Sequence, residues 1–202
     1  MLKYLFLMFY IPVAYCSAIT PIIVLSPNEQ DGGIILTNDT NMPQNYLLSV
    51  DETSFPDKDT QVITKDSHHL KLSQGMLYLS PGKKQKIQFH YNGSRGNEKY
   101  FLVKAQEKVS KKNQVYATAV ASRVIIRPSK PLFKYRFDGK SLKNESNGYI
   151  MLMIDEQCGK VQKLTKLVKP GDSFQLPTIS ADMLVSIEFN RHIKQLVNLC
   201  KK

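Results

Sequence analysis

Between Gln114 and Pro128 the chain reads QVYATAVASRVIIRP. From Val115 to Ile126, twelve residues run without Gly or Pro and are rich in β-branched and small apolar side chains. The run predicts a strand about twice the usual length of five or six residues. Val115, Ala117, Ala119, Ala121 and Ile125 fall on one face, and Tyr116, Val120, Val124 and Ile126 on the other. A strand wet on one side would show a polar face. One face is therefore expected to pack on the strand's own core and the other to meet something else. Arg123 is a cation inside the apolar run, and Arg127-Pro128 ends it, since proline cannot donate to a ladder.

Elsewhere the same period of two recurs in shorter pieces. Strands are expected at Thr20–Leu25, with Pro21 near its start, at Gly33–Thr37, at Tyr46–Val50, at Val62–Thr64 and at Met76–Leu79. Gln85–Tyr91 places Ile87, Phe89 and Tyr91 on one side and Lys86, Gln88 and His90 on the other. Tyr100–Ala105 follows, and then a charged loop from Glu107 to Asn113. Asn38–Asn41, Pro81-Gly82 and Asn92-Gly93 supply the turns. About seven strands with no helical period argue an antiparallel sandwich. After Ser129 the pattern restarts with Phe133–Phe137, Tyr149–Ile154, Val161–Leu164, Phe174–Leu176 and Leu184–Phe189, and His192–Lys202 is open to either strand or helix. No internal repeat of fixed period is evident. The fold class is therefore all-β, with two units, 19–128 and a smaller one at 129–202.

Met1 to Ala18 reads as a secretory signal peptide: Lys3 is the basic start, Tyr4–Tyr15 the apolar segment, and Cys16-Ser17-Ala18 the small residues for cleavage. The apolar segment is too short to span a bilayer, and no later one is long enough, so no stable membrane insertion is expected. Tyr15 is too bulky beside Cys16 for a lipidated cysteine, and the mature chain is expected to begin at Ile19. Export implies an oxidising compartment. Removal of the leader leaves Cys158 and Cys200, most simply one disulfide, with two free thiols as the alternative.

The net charge of +11 admits nucleic acid, an acidic membrane surface or an acidic protein as partner. Export argues against nucleic acid, and the cations are scattered. His68-His69, His90 and His192 have no Cys or carboxylate at ligand spacing, so no metal or other cofactor is expected. Ser94, Ser122 and Ser173 lack a nucleophile-elbow context. Asp51-Glu52 and Asp155-Glu156 are adjacent pairs that would face opposite ways on a strand, and no enzyme is read here. Asn38, Asn92 and Asn144 each begin an Asn-x-Ser/Thr sequon, which turn chemistry also explains.

Several stretches in order resemble the periplasmic chaperones of the chaperone–usher pilus pathway. They are Ile34–Asp39 followed by Tyr46-Leu47, Leu79-Ser80-Pro81-Gly82 followed by Gln85, Glu98-Lys99-Tyr100, and Ala121–Pro128 ending in Arg-Pro. The resemblance covers nearly all of the mature chain. It implies two immunoglobulin-like sandwiches in a boomerang arrangement, located in the periplasm, with Arg127 and Pro128 at the domain junction. Two partners are implied: pilus or fimbrial subunits, and an outer-membrane usher. It places Arg123 as the anchor for a subunit's C-terminal carboxylate, where the family usually has Lys. It places Tyr116, Thr118 and Val120 as the side chains lent to the subunit's open groove by donor-strand complementation. If a bulge shifts the register, Val115, Ala117 and Ala119 take their place. The family's second cation, on the first strand, has no counterpart in Thr20–Val24. The rival reading is a secreted immunoglobulin-like adhesion or binding module, in which the apolar strand is simply core.

Overall fold

In the computed structural model, which describes residues 17–56, 60–107, 119–178 and 182–200, every regular element beyond a single turn is a strand. The first half carries β1 (Ala18–Ile19), β2 (Ile22–Leu25), β3 (Asp31–Thr37), β4 (Gln44–Thr53), β5 (Val62–Thr64), β6 (Leu70–Leu72), β7 (Met76–Leu79), β8 (Lys84–Tyr91), β9 (Lys99–Glu107) and β10 (Ala119–Ile126). The second half carries β11 (Tyr135–Phe137), β12 (Ser141–Asn144), β13 (Ile150–Glu156), β14 (Val161–Val168), β15 (Ser173–Gln175), β16 (Leu184–Phe189) and β17 (His192–Asn198).

The first ten strands make two sheets. One has the order β1-β3-β8-β6; the other runs β2-β10-β9-β4, with β5 and β7 sharing the far edge of β4. Their inward rows enclose two adjoining apolar clusters, one around Ile34, Phe89, Phe101 and Ile126, the other around Leu36, Tyr46 and Ile87. The remaining strands form a second sandwich from sheets β11-β12-β15 and β14-β13-β16-β17, closed over Leu142, Leu152, Val185 and Phe189. The all-β sandwiches expected from the alternation, immunoglobulin-like as the resemblance implies, are the fold observed.

The differences from the sequence pattern have local causes. The first strand is two pieces: β1 pairs antiparallel with β3, and β2 pairs parallel with β10 in the opposite sheet. The switch falls at Thr20-Pro21, where proline supplies no donor. β4 runs ten residues, beyond Tyr46–Val50, because Lys104 and Lys99 neutralise the buried Asp51 and Glu52 at its end. β6 was hidden in a polar stretch because only Leu70 and Leu72 of its three residues are apolar. β12 was missed because Leu142 is its only apolar side chain. The undecided tail is strand β17, folded back from β16 by Asn190 and Arg191, both at positive φ (50° and 70°). Such a two-residue turn matches the twist of the paired strands. β14 continues past Leu164 to Val168. Cys158 and Cys200 form a disulfide with Cα atoms 5.5 Å apart.

A repeat invisible as a period in the sequence is plain in the hydrogen bonds. Asn38, at the end of β3, is fully buried. Its Nδ2 donates to Met42 O and Leu79 O (both 2.9 Å), and its own carbonyl accepts from Gly82 N (2.7 Å). Asn144, at the end of β12, is equally buried. Its Nδ2 donates to Gly148 O (2.9 Å) and Val168 O (2.8 Å), and its carbonyl accepts from Gly171 N (2.8 Å). Each glycine follows a proline and sits at positive φ, 68° and 85°. The two sandwiches thus share one Asn/Pro-Gly lock. The partners are 44 residues apart in one copy and 27 in the other, so no fixed period connects them. Both asparagines are committed to the backbone, which explains these two sequons as turn chemistry.

Candidate functional site

β10 lies between β9 and β2, antiparallel to the first and parallel to the second. Val120, Ser122, Val124 and Ile126 form its inward row; Val124 and Ile126 belong to the core, and Val120 is half-buried against the cluster containing Leu36 and Tyr46. Ala119, Ala121, Arg123 and Ile125 form the outward row, of which the first three are exposed and Ile125 is fully buried. The row named as donor is therefore continuous with the strand's own core face. Tyr116 and Thr118 lie outside the described residues, as do Val115 and Ala117.

Arg123 stands opposite Leu102 on β9 and Ile22 on β2, and its N–H donates to Pro21 O (3.0 Å). Ile22 is 44% exposed and Val24, one place further along that face, 37%. The guanidinium thus rises from an apolar strip. Among the described residues no carboxylate pairs with it, whereas the sheet's other cations are taken. Lys104 Nζ lies 2.7 Å from Asp51 Oδ2, and Lys99 Nζ lies 2.8 Å from Glu52 Oε1. No cation from the first strand stands beside Arg123: the residue opposite is Ile22.

Four residues on, Arg127 is buried between the halves. Its Nη1 donates to Glu98 Oε2 (2.5 Å) and to Tyr149 O (3.3 Å). Its guanidinium covers the Tyr149 ring at 3.9 Å and approaches Phe189 at 5.3 Å. Glu98 Oε1 accepts from Tyr100 Oη (2.5 Å) and from Tyr149 N (3.2 Å). Burial raises the Glu98 carboxyl above its ordinary range, with Arg127 opposing. Burial, then the carboxylate beside it, pushes the Tyr100 phenol far up. A Cβ at Gly148 would lie 2.7 Å from Glu98 Oε2 and 3.0 Å from Arg127 Nη1, so a larger residue there would displace the pair. Glu98, Tyr100 and Arg127 from the first sandwich are thereby tied to Gly148, Tyr149 and Phe189 from the second. Pro128 beside them is buried as well.

In the sequence Arg127 stands out at the end of the apolar run, whereas Glu98-Lys99-Tyr100 reads only as part of a strand. A glutamate just before an apolar strand carries no mark of burial, and its partner lies 29 residues away. Among the described residues two histidines meet carboxylates, His69 Nδ1 with Glu52 Oε2 (3.2 Å) and His90 Nδ1 with Asp31 Oδ1 (2.8 Å).

No protein-family model matches the chain, and no curated protein matches it in sequence. Its fold, however, is that of solved fimbrial chaperones. A chain from the chaperone–tip adhesin complex of CFA/I fimbriae biogenesis superposes with a TM-score of 0.61 at 13% identity, over 91% of this chain and 99% of that one. The class 5 fimbriae chaperone CfaA gives 0.61 at 12% identity, over 91% and 100%. A structure of the Salmonella enterica SafA pilin in complex with the SafB chaperone gives 0.57 at 14%, over 92% and 97%. The chain therefore has the fold of the fimbrial chaperones over nearly its whole described length.

Proposed function

We propose that this protein is a periplasmic chaperone for fimbrial or pilus subunits, made of an N-terminal domain to Pro128 and a C-terminal domain from Ser129. In this reading an N-terminal leader exports it, and it hands subunits to an outer-membrane usher. The observation that carries the reading is Arg123. It is an exposed guanidinium on an apolar strip, with no carboxylate paired to it among the described residues, four residues before the buried Arg127–Glu98 pair that ties the second sandwich to the first. Lys104 and Lys99 are engaged by carboxylates; among the described residues of this sheet, Arg123 is the cation left for an external one. A guanidinium binds a carboxylate through two parallel hydrogen bonds, and apolar surroundings strengthen them.

The inward row of β10 supports the lent strand. Val120 is where that row meets the limit of the sandwich's own core. Thr118 and Tyr116, outside the described residues, are two and four places before Val120 in the sequence and are proposed as the side chains lent with it. A subunit with an open groove would receive them, and one apolar core would then run through both proteins. The chaperone supplies side chains and backbone hydrogen bonds; no covalent step is involved. That two of the similar structures are complexes with a pilin or a tip adhesin supports this choice over an adhesion module.

The test is co-expression with a fimbrial subunit and purification of the complex from the periplasm. The reading expects a stoichiometric complex, weakened about 10- to 100-fold by Arg123→Ala, the value of one charge-assisted contact. Capture unchanged by Arg123→Ala would remove the anchor, and a chain that captures no subunit would favour the adhesion module.

A further inference from the structure

Ser17, which the sequence pattern assigns to the discarded leader, is built into the folded sandwich. It is 5% exposed. Its Oγ donates to Glu107 Oε1 (2.6 Å) and lies 2.6 Å from Tyr46 Oη. The next two residues are β1, whose Ala18 and Ile19 pair with Thr37 and Leu36 on β3. Ile19 packs against both apolar clusters of the first sandwich. Glu107 itself is 8% exposed at the end of β9, opposite Tyr46 on β4.

Cutting after Ala18 would discard the Ser17 hydroxyl and half of β1, and leave a buried carboxylate without that donor. Cutting two residues earlier keeps all three. The earlier bond also satisfies the small-residue requirement, with Ala14 three places before it and Cys16 immediately before it.

We propose that the leader is removed between Cys16 and Ser17, and that the α-ammonium so created pairs with the buried carboxylate of Glu107. The peptide bond between the two residues is hydrolysed: water gives its hydroxyl to the Cys16 carbonyl, and the nitrogen leaves as the Ser17 amine, protonated at neutral pH. In a serine the amine nitrogen and the hydroxyl oxygen are about 3–4 Å apart. With Oγ already 2.6 Å from Glu107 Oε1, the ammonium lies within about 7 Å of that carboxylate, and the free chain end can turn toward it. The pair sits at the end of the sheet where β10 begins, so processing completes the wall beside the strand proposed for lending. The inference rests on the export reading of the leader.

Two measurements test it on the exported, full chain. N-terminal sequencing and intact mass should give Ser17-Ala18-Ile19 as the start. A start at Ile19 overturns this inference while leaving export intact; a start at Met1 overturns both. The second measurement is the rate of α-amine acetylation at pH 7, read on the N-terminal peptide by mass spectrometry, with folding of each protein checked by circular dichroism. The wild type should react about tenfold more slowly than Glu107→Gln, since one unit of amine pKa is a tenfold change in the reactive neutral form. Equal rates overturn the ammonium–carboxylate pairing.

Discussion

Glu98→Gln tests whether the two sandwiches are held by a desolvated ion pair. The substitution keeps the size of the side chain and one carbonyl acceptor but removes the charge facing Arg127. Arg127 is 4% exposed and Glu98 1%, so water cannot replace the lost carboxylate. The guanidinium would stay buried against Tyr149 and Phe189 with a neutral amide as its partner. Breaking one side of such a pair costs about 3–5 kcal/mol. For a chain of this length that is a fall in Tm of about 10 °C. The double change Glu98→Gln with Arg127→Met removes the orphaned charge too and should recover part of the loss, because paired apolar replacements of buried ion pairs are often neutral. Denaturant melts followed by tyrosine fluorescence and far-UV circular dichroism measure all three proteins. A loss below about 0.5 kcal/mol, the range of ordinary surface changes, would refute the reasoning. So would a double variant less stable than the single one by the full cost of Arg127.

Further outcomes follow from other sites. Ser122 points into the core of the first sandwich, and its hydroxyl has no hydrogen-bond partner among the described residues. Ser122→Ala should raise stability by about 1 kcal/mol, seen as a higher denaturation midpoint at constant m-value; a lower midpoint would mean the hydroxyl is bonded. Burial alone would raise the Glu52 carboxyl, but hydrogen bonds from Lys99 and His69 outweigh it and hold the group below its ordinary range. A depressed carboxyl contributes stability above its unfolded pKa and loses it as pH falls through the folded value. Glu52→Gln should therefore flatten the acid limb of the stability curve below the usual carboxylate range; an unchanged limb would assign acid sensitivity elsewhere. Reduction of Cys158–Cys200, which closes a separation of 42 residues, should cost ~4 kcal/mol by loop entropy and loosen the second sandwich first; equal melting in reducing and oxidising buffer would contradict it.

Sequence alternation carried the sheet architecture because period-two burial and pattern coincide in strands such as β8 and β9, each with three inward apolar residues. It failed where they do not. β12 buries one leucine and one asparagine, and β4 extends through Asp51 and Glu52, which look exposed until their lysines are placed beside them. The Asn38 and Asn144 locks were written as sequons and Pro-Gly turns, yet their equivalence depends on which carbonyls they reach across the fold. Arg123 was visible as a cation inside an apolar run. Its isolation was not, since that depends on Lys104 and Lys99 being occupied by partners on another strand. Ser17 reads as leader in one dimension; its contacts with Tyr46 and Glu107 appear only once β4 and β9 are placed beside it.

Subunit capture with and without the Arg123 side chain bears most directly on the whole account. Arg123→Ala should leave the melting curve within about 0.5 kcal/mol of wild type, as for an exposed residue, while the subunit complex weakens at least tenfold. A complex of undiminished affinity in that variant would contradict the account.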